Sequence, residues 1–311
     1  MKSILIIGGS YFAGRILVEE LLVAKNYQVY VFNRGHVPLK MKGVVELVGD
    51  RLNSQQIQAV IPDKDWHAVV DFCAYDPGDI TRLIRFLPGT VRHYILISTT
   101  SVYVPFQDSP IGEDFPKLSG PQPELGEFAD YGFNKWLVEC ESVKKCSERD
   151  IPQTSLRPAI IYGPYNYAPR EFRLFDAMDR NEAIVLPEYD NSFYSFVYAV
   201  DLANIIIRCM QNTRVLNRAF NVCSEELISY SRIADVLAEL SENSVRFVRK
   251  GIEAINREQI FLPFPPDRNL AYCGTALRDI LGFHYTPFRQ GMRDTHAYHR
   301  YVQKRRKSGR V

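Results

Sequence analysis

The sequence predicts an α/β fold in which a doubly wound parallel sheet is followed by a smaller mixed α/β domain. Short apolar runs alternate with helical patterns over the first 165 residues, and a glycine-rich turn joins the first run to the first helix. Apolar runs without strict alternation are typical of strands that are covered on both faces. Strands that alternate with helices favour right-handed crossovers and therefore a parallel sheet.

Five apolar runs predict the strands of this sheet, at residues 3–7, 28–32, 44–48, 67–72 and 93–97. Helical spacing over 15–24 predicts the helix that follows the first strand. Residues 104–128 are rich in proline and acidic side chains, so we expect a long loop over the carboxyl edge of the sheet. A helix over 129–146 and a strand over 153–162 complete the pattern.

Beyond residue 165 the pattern is looser and mixed. It predicts helices near 171–180, 200–210 and 229–240, strands near 183–186 and 193–197, and further pieces near 245–248 and 275–281. We therefore predict a first domain over 1–165 and a second over 166–311, with the return of 200–222 to the first domain as an alternative. The basic residues 304–307 are expected to form a solvated, frayed terminus.

The composition excludes several classes of protein. Of the 311 residues 46% are hydrophobic and 24% charged, and the net charge is +2. Disorder would need fewer apolar residues, and a membrane span would need a run of about 18 or more of them. The small net charge predicts neither nucleic acid nor membrane as a partner. The six cysteines are too sparse for a disulfide scaffold and lack metal-ligand spacing, so we predict reduced thiols, no metal site and a cytoplasmic location.

The glycine-rich turn leaves the first strand at residue 8. The residues predicted to bind a dinucleotide there are Gly8, Gly9, Ser10, Tyr11, Phe12 and Gly14. Glycines allow a sharp turn, a close approach of backbone N–H groups to a pyrophosphate, and tight packing of the helix on the sheet. The pyrophosphate would then lie at the positive end of the helix dipole. A merely structural turn is the alternative.

The ends of the second and third strands are predicted to bind the adenosine half of the cofactor. Asn33 and Arg34 end the second strand, where an NAD-selective site usually carries an acidic residue. Arg34 is instead placed to meet a 2′-phosphate or to stack on the adenine, and NADP is favoured over NAD. Asp50 and Arg51 follow the third strand, where a side chain can meet the adenine edge. A solvated Arg34 and a turn-forming Asp50 are the alternatives.

Hydroxyl side chains follow the fifth strand, where ligands bind in open parallel sheets, and a tyrosine–lysine pair comes later. Tyr131 and Lys135 are four residues apart and share one helix face. A cationic Lys135 would lower the pKa of the Tyr131 phenol from about 10 toward working pH. Tyr131 could then exchange a proton with a substrate alcohol or carbonyl while a nicotinamide exchanges hydride. Such a pair is common by chance, so its value lies in its order after the turn and the hydroxyl-rich strand end.

Taken together, these motifs resemble those of the extended short-chain dehydrogenase/reductase superfamily, of the NAD-dependent epimerase/dehydratase type. The residues that carry the resemblance are Gly8-Gly9-x-x-Phe12-x-Gly14, Gly49-Asp50, Ser98-Thr99-x-x-Val102-Tyr103, Tyr131-x-x-x-Lys135, Arg157-Pro158-x-x-Ile161-Tyr162-Gly163-Pro164, Phe196-Val197-x-x-x-Asp201-Leu202-Ala203 and Leu281-Gly282-Phe283-x-x-Thr286-Pro287. The resemblance covers about residues 3–292. It implies a Rossmann domain with a smaller substrate domain, and it says little about the substrate.

The resemblance also implies roles for single residues. It implies that Thr99 hydrogen-bonds the reacting oxygen, that Tyr131 is the acid/base, and that Lys135 binds the nicotinamide ribose. Cofactor binding is further expected at Cys73, Ala74 and Tyr162, and substrate binding at Tyr75, Thr100, Arg173 and Arg268. The two arginines are candidates by position for clamping the diphosphate of a nucleotide sugar, because guanidinium groups bind phosphate in a bidentate manner.

The implied function is an NAD(P)-dependent oxidoreductase or epimerase that acts on a hydroxyl- or keto-bearing small molecule, with a nucleotide sugar favoured. The family's 4,6-dehydratases carry Asp-Glu directly after the catalytic threonine, where this sequence has Thr100-Ser101, so a dehydratase is disfavoured. Tyr11 replaces the family's middle glycine and puts bulk near the pyrophosphate. Two alternatives stay open: an RNA-binding protein that has kept the fold, as in chloroplast relatives of this branch, and a regulator that binds NADP without turnover. A homodimer through the helix of Tyr131 is also an open alternative.

Overall fold

A computed structural model describes residues 1–106 and 110–308, and its central parallel sheet confirms the predicted fold class. The strands are β1 (Lys2–Ile7), β2 (Tyr27–Asn33), β3 (Val44–Val48), β4 (Asp65–Asp71), β5 (Thr90–Val91), β6 (Tyr94–Ile97), β7 (Gln153–Pro158), β8 (Ile160–Tyr162), β9 (Ile184–Pro187), β10 (Tyr194–Tyr198), β11 (Arg218–Val222), β12 (Leu227–Ile228) and β13 (Phe247–Lys250). The predicted loop over 104–128 lies partly outside the described residues, at 107–109.

The helices are α1 (Phe12–Ala24), α2 (Ser54–Val60), α3 (Pro77–Phe86), α4 (Tyr131–Ser147), α5 (Glu171–Asp179), α6 (Ala199–Cys209), α7 (Tyr230–Leu240), α8 (Ile252–Arg257), α9 (Thr275–Leu281) and α10 (Phe288–Lys307). Short 3₁₀ turns lie at Thr100–Val102, Pro123–Phe128 and Thr213–Val215. In the described part of the chain, no helix combines the length and the apolar character that crossing a membrane requires.

The main sheet has the strand order β11-β7-β6-β4-β1-β2-β3, with β5 paired to β4, and its strands run parallel. The chain builds the sheet outward from β1 in one direction and then returns to the other side of β1 with β4. In open α/β sheets, ligands bind outside the carboxyl ends of the strands at such a reversal. The reversal lies at β1, where the glycine-rich turn begins.

Helices cover both faces of this sheet. Ile4 and Ile6 of β1 are buried in one cluster with α1 and α6, whereas Leu5 and Ile7 are buried in another cluster with α3 and α4. Because successive side chains of a strand point to opposite faces, a strand buried on both sides must be apolar throughout. The continuous apolar runs that predicted the strands therefore have this two-sided burial as their cause.

The rest of the chain forms two small sheets, β12-β10-β8 and β13-β9, around a second, largely aromatic core. After this excursion β11 lies beside β7 in the main sheet, and α6 packs against α1. The domain boundary near residue 165 stays a prediction.

Two sequence expectations about local structure are wrong. The single strand expected over 153–162 is split: the N–H of Ala159 makes a last bond to β11, at the carbonyl of Val222, and the chain then leaves the main sheet. The segment after Ala159 then pairs with β10 as β8. The basic residues 304–307 are exposed as expected, but they form the last turn of α10 instead of a frayed terminus, and their cations face the negative end of the helix dipole.

Helices α2 and α3 were not predicted, although both begin at strong caps. The side chain of Asn53 accepts the N–H groups of Gln55 and Gln56 at the start of α2. Asp76 and Asp79 form a reciprocal capping box at the start of α3. Caps of this kind satisfy the free N–H groups of a first helical turn, so they mark helices too short to show a clear apolar period.

His93 makes the stability of the fold depend on pH. Its side chain is buried at the amino end of β6, with Nε2 2.8 Å from Oγ1 of Thr154, whose own proton goes to the carbonyl of Val215. Burial lowers the pKa of His93 from 6.5 to about 4, so the folded state favours the neutral ring. The contribution of His93 to the unfolding free energy is therefore fully present above pH 6.5 and is lost as the pH falls toward 4.

We expect roughly 3 kcal/mol of unfolding free energy to be lost over that interval because of this histidine. His93→Gln should flatten the pH dependence, as measured by urea unfolding at several pH values. His284→Gln, at an exposed position, is the matched control and should keep the slope of the wild-type protein. An equally steep slope in His93→Gln would show that another group causes the acid sensitivity.

Candidate functional site

A cavity of about 660 Å³ lies at the carboxyl edge of the main sheet, over the reversal at β1. This volume is typical of small-molecule and cofactor sites. The predicted site residues that line it are Gly8, Ser10, Tyr11, Phe12, Gly14, Asn33, Arg34, Asp50, Arg51, Cys73, Tyr75, Tyr131 and Lys135. The predicted residues outside its lining are Gly9, Ala74, Thr99, Thr100, Tyr162, Arg173 and Arg268.

The glycines of the first turn are required by close packing. Gly8 has a φ of 84°, which favours glycine, and a Cβ there would overlap Sγ of Cys73. A Cβ at Gly14 would lie 2.7 Å from the carbonyl oxygen of Gly8. Helix α1 can therefore approach the turn only because residue 14 has no side chain. Phe12, the first residue of α1, has a φ of 38° and packs edge-on against Tyr167 from the second half of the chain.

Asn33 is held in place at the end of β2. Its Nδ2 donates to Oγ of Ser10 at 2.7 Å, and its Oδ1 accepts the N–H of Gly35 at 2.7 Å. The amide side chain thus joins the second strand to the glycine turn at the position where an acidic residue would select NAD. Arg34 lines the cavity beside it and is exposed.

The two residues after β3 differ in their freedom to bind a ligand. Asp50 lines the cavity and accepts the N–H of Leu52 at 2.9 Å, which is the turn-forming contact that the sequence left as an alternative. The side chain of Arg51 is 10% exposed and forms a bidentate pair with Asp71 at 2.7 and 3.0 Å. The Arg51 guanidinium holds the pKa of the buried Asp71 carboxyl below its usual value. Arg51 therefore supports the floor of the cavity through Asp71.

Tyr131 lines the other end of the cavity, and Thr99 lies beside it, just outside the lining. Thr99 caps the 3₁₀ turn after β6, and its Oγ1 accepts the N–H of Ser101 at 3.1 Å. Helix α4 begins at Tyr131 and passes so close to this turn that a Cβ on Gly132 would overlap the carbonyl oxygen of Ser101. The Thr99 side chain lies close enough to the Tyr131 phenol to lower its pKa. The predicted catalytic hydroxyls are therefore adjacent.

The pKa of Tyr131 is raised above 10, which contradicts the sequence expectation that Lys135 lowers it. Burial is the main cause of the raised pKa, and the hydrogen bond from Thr99 and the nearby Arg170 only partly oppose it. The tyrosine side chain itself is 41% exposed, because its ring forms part of the open cavity wall.

Lys135 lies one turn further along α4 and is 2% exposed. Its Nζ donates to the carbonyls of Ala74 at 2.8 Å and Ile97 at 2.9 Å, and lies 5.5 Å from the ring centre of Tyr75. Burial lowers the pKa of Lys135 to about 8, against the attraction of Asp71. The ammonium group is held by the strand ends, which is why its charge does not act on the phenol as the spacing alone suggested.

The structure does not bring several predicted site residues to the cavity. Tyr162 is 2% exposed and packs in the second core, with its ring centre 5.3 Å from that of Phe288. The position of Tyr162 follows from the split strand, since β8 belongs to a different sheet from β7. Arg173 lies 4.1 Å from the ring centre of Phe261, and Arg268 forms an ion pair with Asp267 at 3.6 Å. Thr100 donates a hydrogen bond to the carbonyl of Pro158 at 3.5 Å. Gly9 packs on Ile6, Val18 and Val31.

Sequence reasoning missed three residues that shape the site. Ser98 lines the cavity and lies directly before Thr99, so the run of hydroxyls was a usable signal. Gly132 could have been found from its place beside Tyr131. Tyr167 lines the cavity from a loop distant in sequence, and no local pattern marks it.

The glycine turn, the reversal of strand order and the Thr99–Tyr131 pair meet at one cavity. This arrangement defines a dinucleotide-binding protein of the extended short-chain dehydrogenase/reductase type. Comparison with known families identifies the family within this type of protein. The chain belongs to the NAD dependent epimerase/dehydratase family, whose profile matches residues 4–223.

Two characterised relatives are similar in sequence. The chloroplast stem-loop binding protein of 41 kDa b from Arabidopsis thaliana is 24% identical over 252 residues, which cover 76% of this chain and 63% of that protein. The match thus spans less than two thirds of the chloroplast protein. The UDP-glucose 4-epimerase of Vibrio cholerae is 24% identical over 259 residues, which cover 76% of this chain and 75% of the epimerase.

Solved structures show the same fold. The UDP-glucuronic acid 4-epimerase of Bacillus cereus, in complex with UDP-glucuronic acid and NAD, matches with a TM-score of 0.74 at 17% identity over 96% of this chain and 99% of that one. The dTDP-glucose 4,6-dehydratase of Bacillus anthracis, in complex with NAD, matches with a TM-score of 0.76 at 15% identity over 98% of both chains. At these identities the likeness establishes the fold, and the fold is shared by both kinds of enzyme.

Proposed function

We propose that this protein is an NAD(P)-dependent enzyme that acts as an epimerase or carbonyl reductase on a hydroxyl- or keto-bearing small molecule, with a nucleotide sugar as the favoured substrate class. The observation that carries the proposal is that Thr99 lies beside the Tyr131 phenol, whose ring lines the cavity that begins at the glycine turn. The nucleotide-sugar class is supported by the similarity to the UDP-glucose 4-epimerase of Vibrio cholerae and the UDP-glucuronic acid 4-epimerase of Bacillus cereus.

The residues present fit a dinucleotide. Gly8 and Gly14 let α1 begin close against the end of β1, so the N–H groups of its first turn can face a pyrophosphate. Ser10 and Asn33 would face the adenosine ribose, and Arg34 would meet a 2′-phosphate. Lys135 would hold the nicotinamide ribose. The bound nicotinamide supplies or accepts a hydride.

The protein's own part in the reaction is to hold and move a proton. Thr99 would orient the reacting oxygen of the substrate, and the hydroxyl of Tyr131 would give a proton to that oxygen or take one from it. Because the pKa of Tyr131 is raised, its phenol carries a proton at neutral pH and is ready to act as the acid toward a carbonyl oxygen. Reaction in the opposite direction needs the phenolate and should therefore accelerate with rising pH.

A 4,6-dehydratase is less favoured than an epimerase or reductase, because elimination of water needs a positioned acid and base. The residues after Thr99 carry hydroxyls instead of carboxylates, and Thr100 is buried against the carbonyl of Pro158. RNA binding and regulation without turnover give no role to the Thr99–Tyr131 pair, so they rank lower. The cytoplasmic location and a homodimer stay predictions. The free state of all six cysteines supports the location. Val143 on α4, which is 52% exposed, supports a homodimer through that helix.

The direct experiment is to mix the purified protein with NAD⁺ or NADP⁺ and either UDP-glucose or UDP-glucuronic acid. For an oxidoreductase we expect reduction of the dinucleotide, followed by absorbance at 340 nm. For an epimerase we expect the sugar to be epimerised without net reduction of the dinucleotide. Tight binding of neither cofactor would contradict the proposal.

Cofactor preference can be tested at Arg34. If this residue meets a 2′-phosphate, Arg34→Ala should weaken NADPH by about tenfold more than NADH, since one charge-assisted hydrogen bond is lost. Affinities can be compared by the fluorescence of the bound nicotinamide. Arg173→Ala is the matched control, because Arg173 lies outside the cavity lining. Equal losses for both cofactors would assign Arg34 no part in the preference.

A further inference from the structure

A charged pair is buried behind the catalytic turn. Glu139 of α4 and Arg157 of β7 are each 3% exposed and form a bidentate ion pair, with Nε to Oε1 at 3.0 Å and Nη2 to Oε2 at 2.6 Å. Oγ of Ser98 donates to Oε1 of Glu139 at 2.5 Å. Ser98 lines the cavity and precedes Thr99, so the pair joins the end of β6 to α4 directly beneath the site.

The pair continues into the second half of the chain. Nη1 of Arg157 donates to the hydroxyl of Tyr103 at 2.8 Å, and that hydroxyl donates to Oδ1 of Asn221 at 2.7 Å. Nδ2 of Asn221 donates to the carbonyls of Ile111 at 2.9 Å and Cys273 at 3.1 Å. The network therefore links the catalytic turn and α4 to the long loop before α4 and to the segment that leads into α9.

Burying such a pair is costly. The loss of hydration of two charges often exceeds their attraction, so an apolar pair of similar volume can serve stability as well or better. Stability alone therefore does not explain the charges. What an apolar pair could not do is orient the Ser98 hydroxyl, the Tyr103 hydroxyl and the Asn221 amide at once.

We infer that Glu139 and Arg157 form a positioning unit for the reaction: they hold Ser98, and with it Thr99, at a set distance from the helix that carries Tyr131 and Lys135. This inference rests on the proposed function, because it assigns the pair to that same site. Glu139 lies four residues after Lys135 and eight after Tyr131, so the three side chains share one face of α4.

The charge of Glu139 also acts on Lys135. Burial lowers the pKa of Lys135, and the negative charges of Asp71 and Glu139 oppose that effect. The other groups that face this ammonium are Arg51, which lowers its pKa further, and Cys73, which raises it. Neutralising Glu139 should therefore make Lys135 lose its proton at a lower pH.

The test uses Glu139→Gln and the double variant Glu139→Gln/Arg157→Met. The double variant avoids leaving an unpaired buried arginine, so it should fold even where the single one does not. Thr154→Val is the matched control: Thr154 is buried at the opposite end of β7 and donates to the carbonyl of Val215 at 2.8 Å. The readouts are NADH fluorescence titrations between pH 6 and 9, and kcat and KM with UDP-glucose.

In both Glu139 variants we expect the alkaline loss of NADH affinity to move down by roughly one pH unit. We also expect kcat to fall by about 10²-fold, because Thr99 is displaced from the reacting oxygen. Thr154→Val should lose thermal stability and keep both the pH profile and kcat. A double variant with the pH profile and kcat of the wild-type protein would overturn the inference. Absence of NADH binding by the wild-type protein would instead overturn the proposed function, and the inference with it.

Discussion

Tyr131→Phe is expected to lower turnover by about 10³-fold and to leave cofactor affinity nearly unchanged. The substitution removes only the hydroxyl that Thr99 contacts, and phenylalanine keeps the ring in the cavity wall. A positioned acid/base contributes on the order of 10²–10⁴-fold to a rate, so its loss should exceed the effect of any change in binding. The measurement is kcat and KM with the substrate that the wild-type protein turns over, beside NADH affinity by fluorescence.

The pH dependence of the rate is a second test of the role of Tyr131. Because the hydrogen bond from Thr99 lowers the pKa of Tyr131, Thr99→Ala should raise that pKa further. The rate in the direction that needs the phenolate should then rise only at higher pH than in the wild-type protein. Tyr189→Phe, at a position that is 70% exposed, is the control and should be silent. Wild-type turnover in Tyr131→Phe would defeat the mechanism.

The sequence allowed the two ends of the site to be predicted, because each is a local pattern. Gly8 and Gly14 lie within one turn of chain, and Tyr131 and Lys135 lie on one helix face. Tyr162 could not be placed in this way. An apolar run looks the same whether it stays in one sheet or crosses to another, and the crossing after Ala159 depends on pairing with β10, a strand distant in sequence.

The charge interactions of the site also depend on contacts between residues that are distant in sequence. Spacing correctly put Lys135 one turn after Tyr131, but the orientation of the ammonium is decided by the carbonyls of Ala74 and Ile97 from two other elements. Glu139 is a different case. Its position on the same helix face could have been read from the four-residue spacing, whereas its partner Arg157 follows only from the pairing of β6 with β7.

Gly132→Ala is expected to lower kcat by about 10²-fold. In the interior of an exposed helix this change would add up to about 1 kcal/mol of stability, because alanine is the better helix former. Here the added Cβ would overlap the carbonyl oxygen of Ser101 and lie 2.9 Å from Cδ1 of Leu118. The helix must then move away from the turn that carries Thr99, and overpacking of this kind costs about 1–3 kcal/mol. The steric cost therefore decides the sign, and the unfolding free energy should fall.

The two hydroxyls of Thr99 and Tyr131 separate in this variant, although neither residue is changed. Gly120→Ala is the matched control, since a Cβ there meets no atom within 4 Å. Urea unfolding and kcat should both remain near the wild-type values in the control. A Gly132→Ala protein that is more stable than the wild type and equally active would show that α4 does not approach the turn. In that case the proximity of Thr99 to Tyr131 would lose its structural basis, because that approach is what brings the two side chains together.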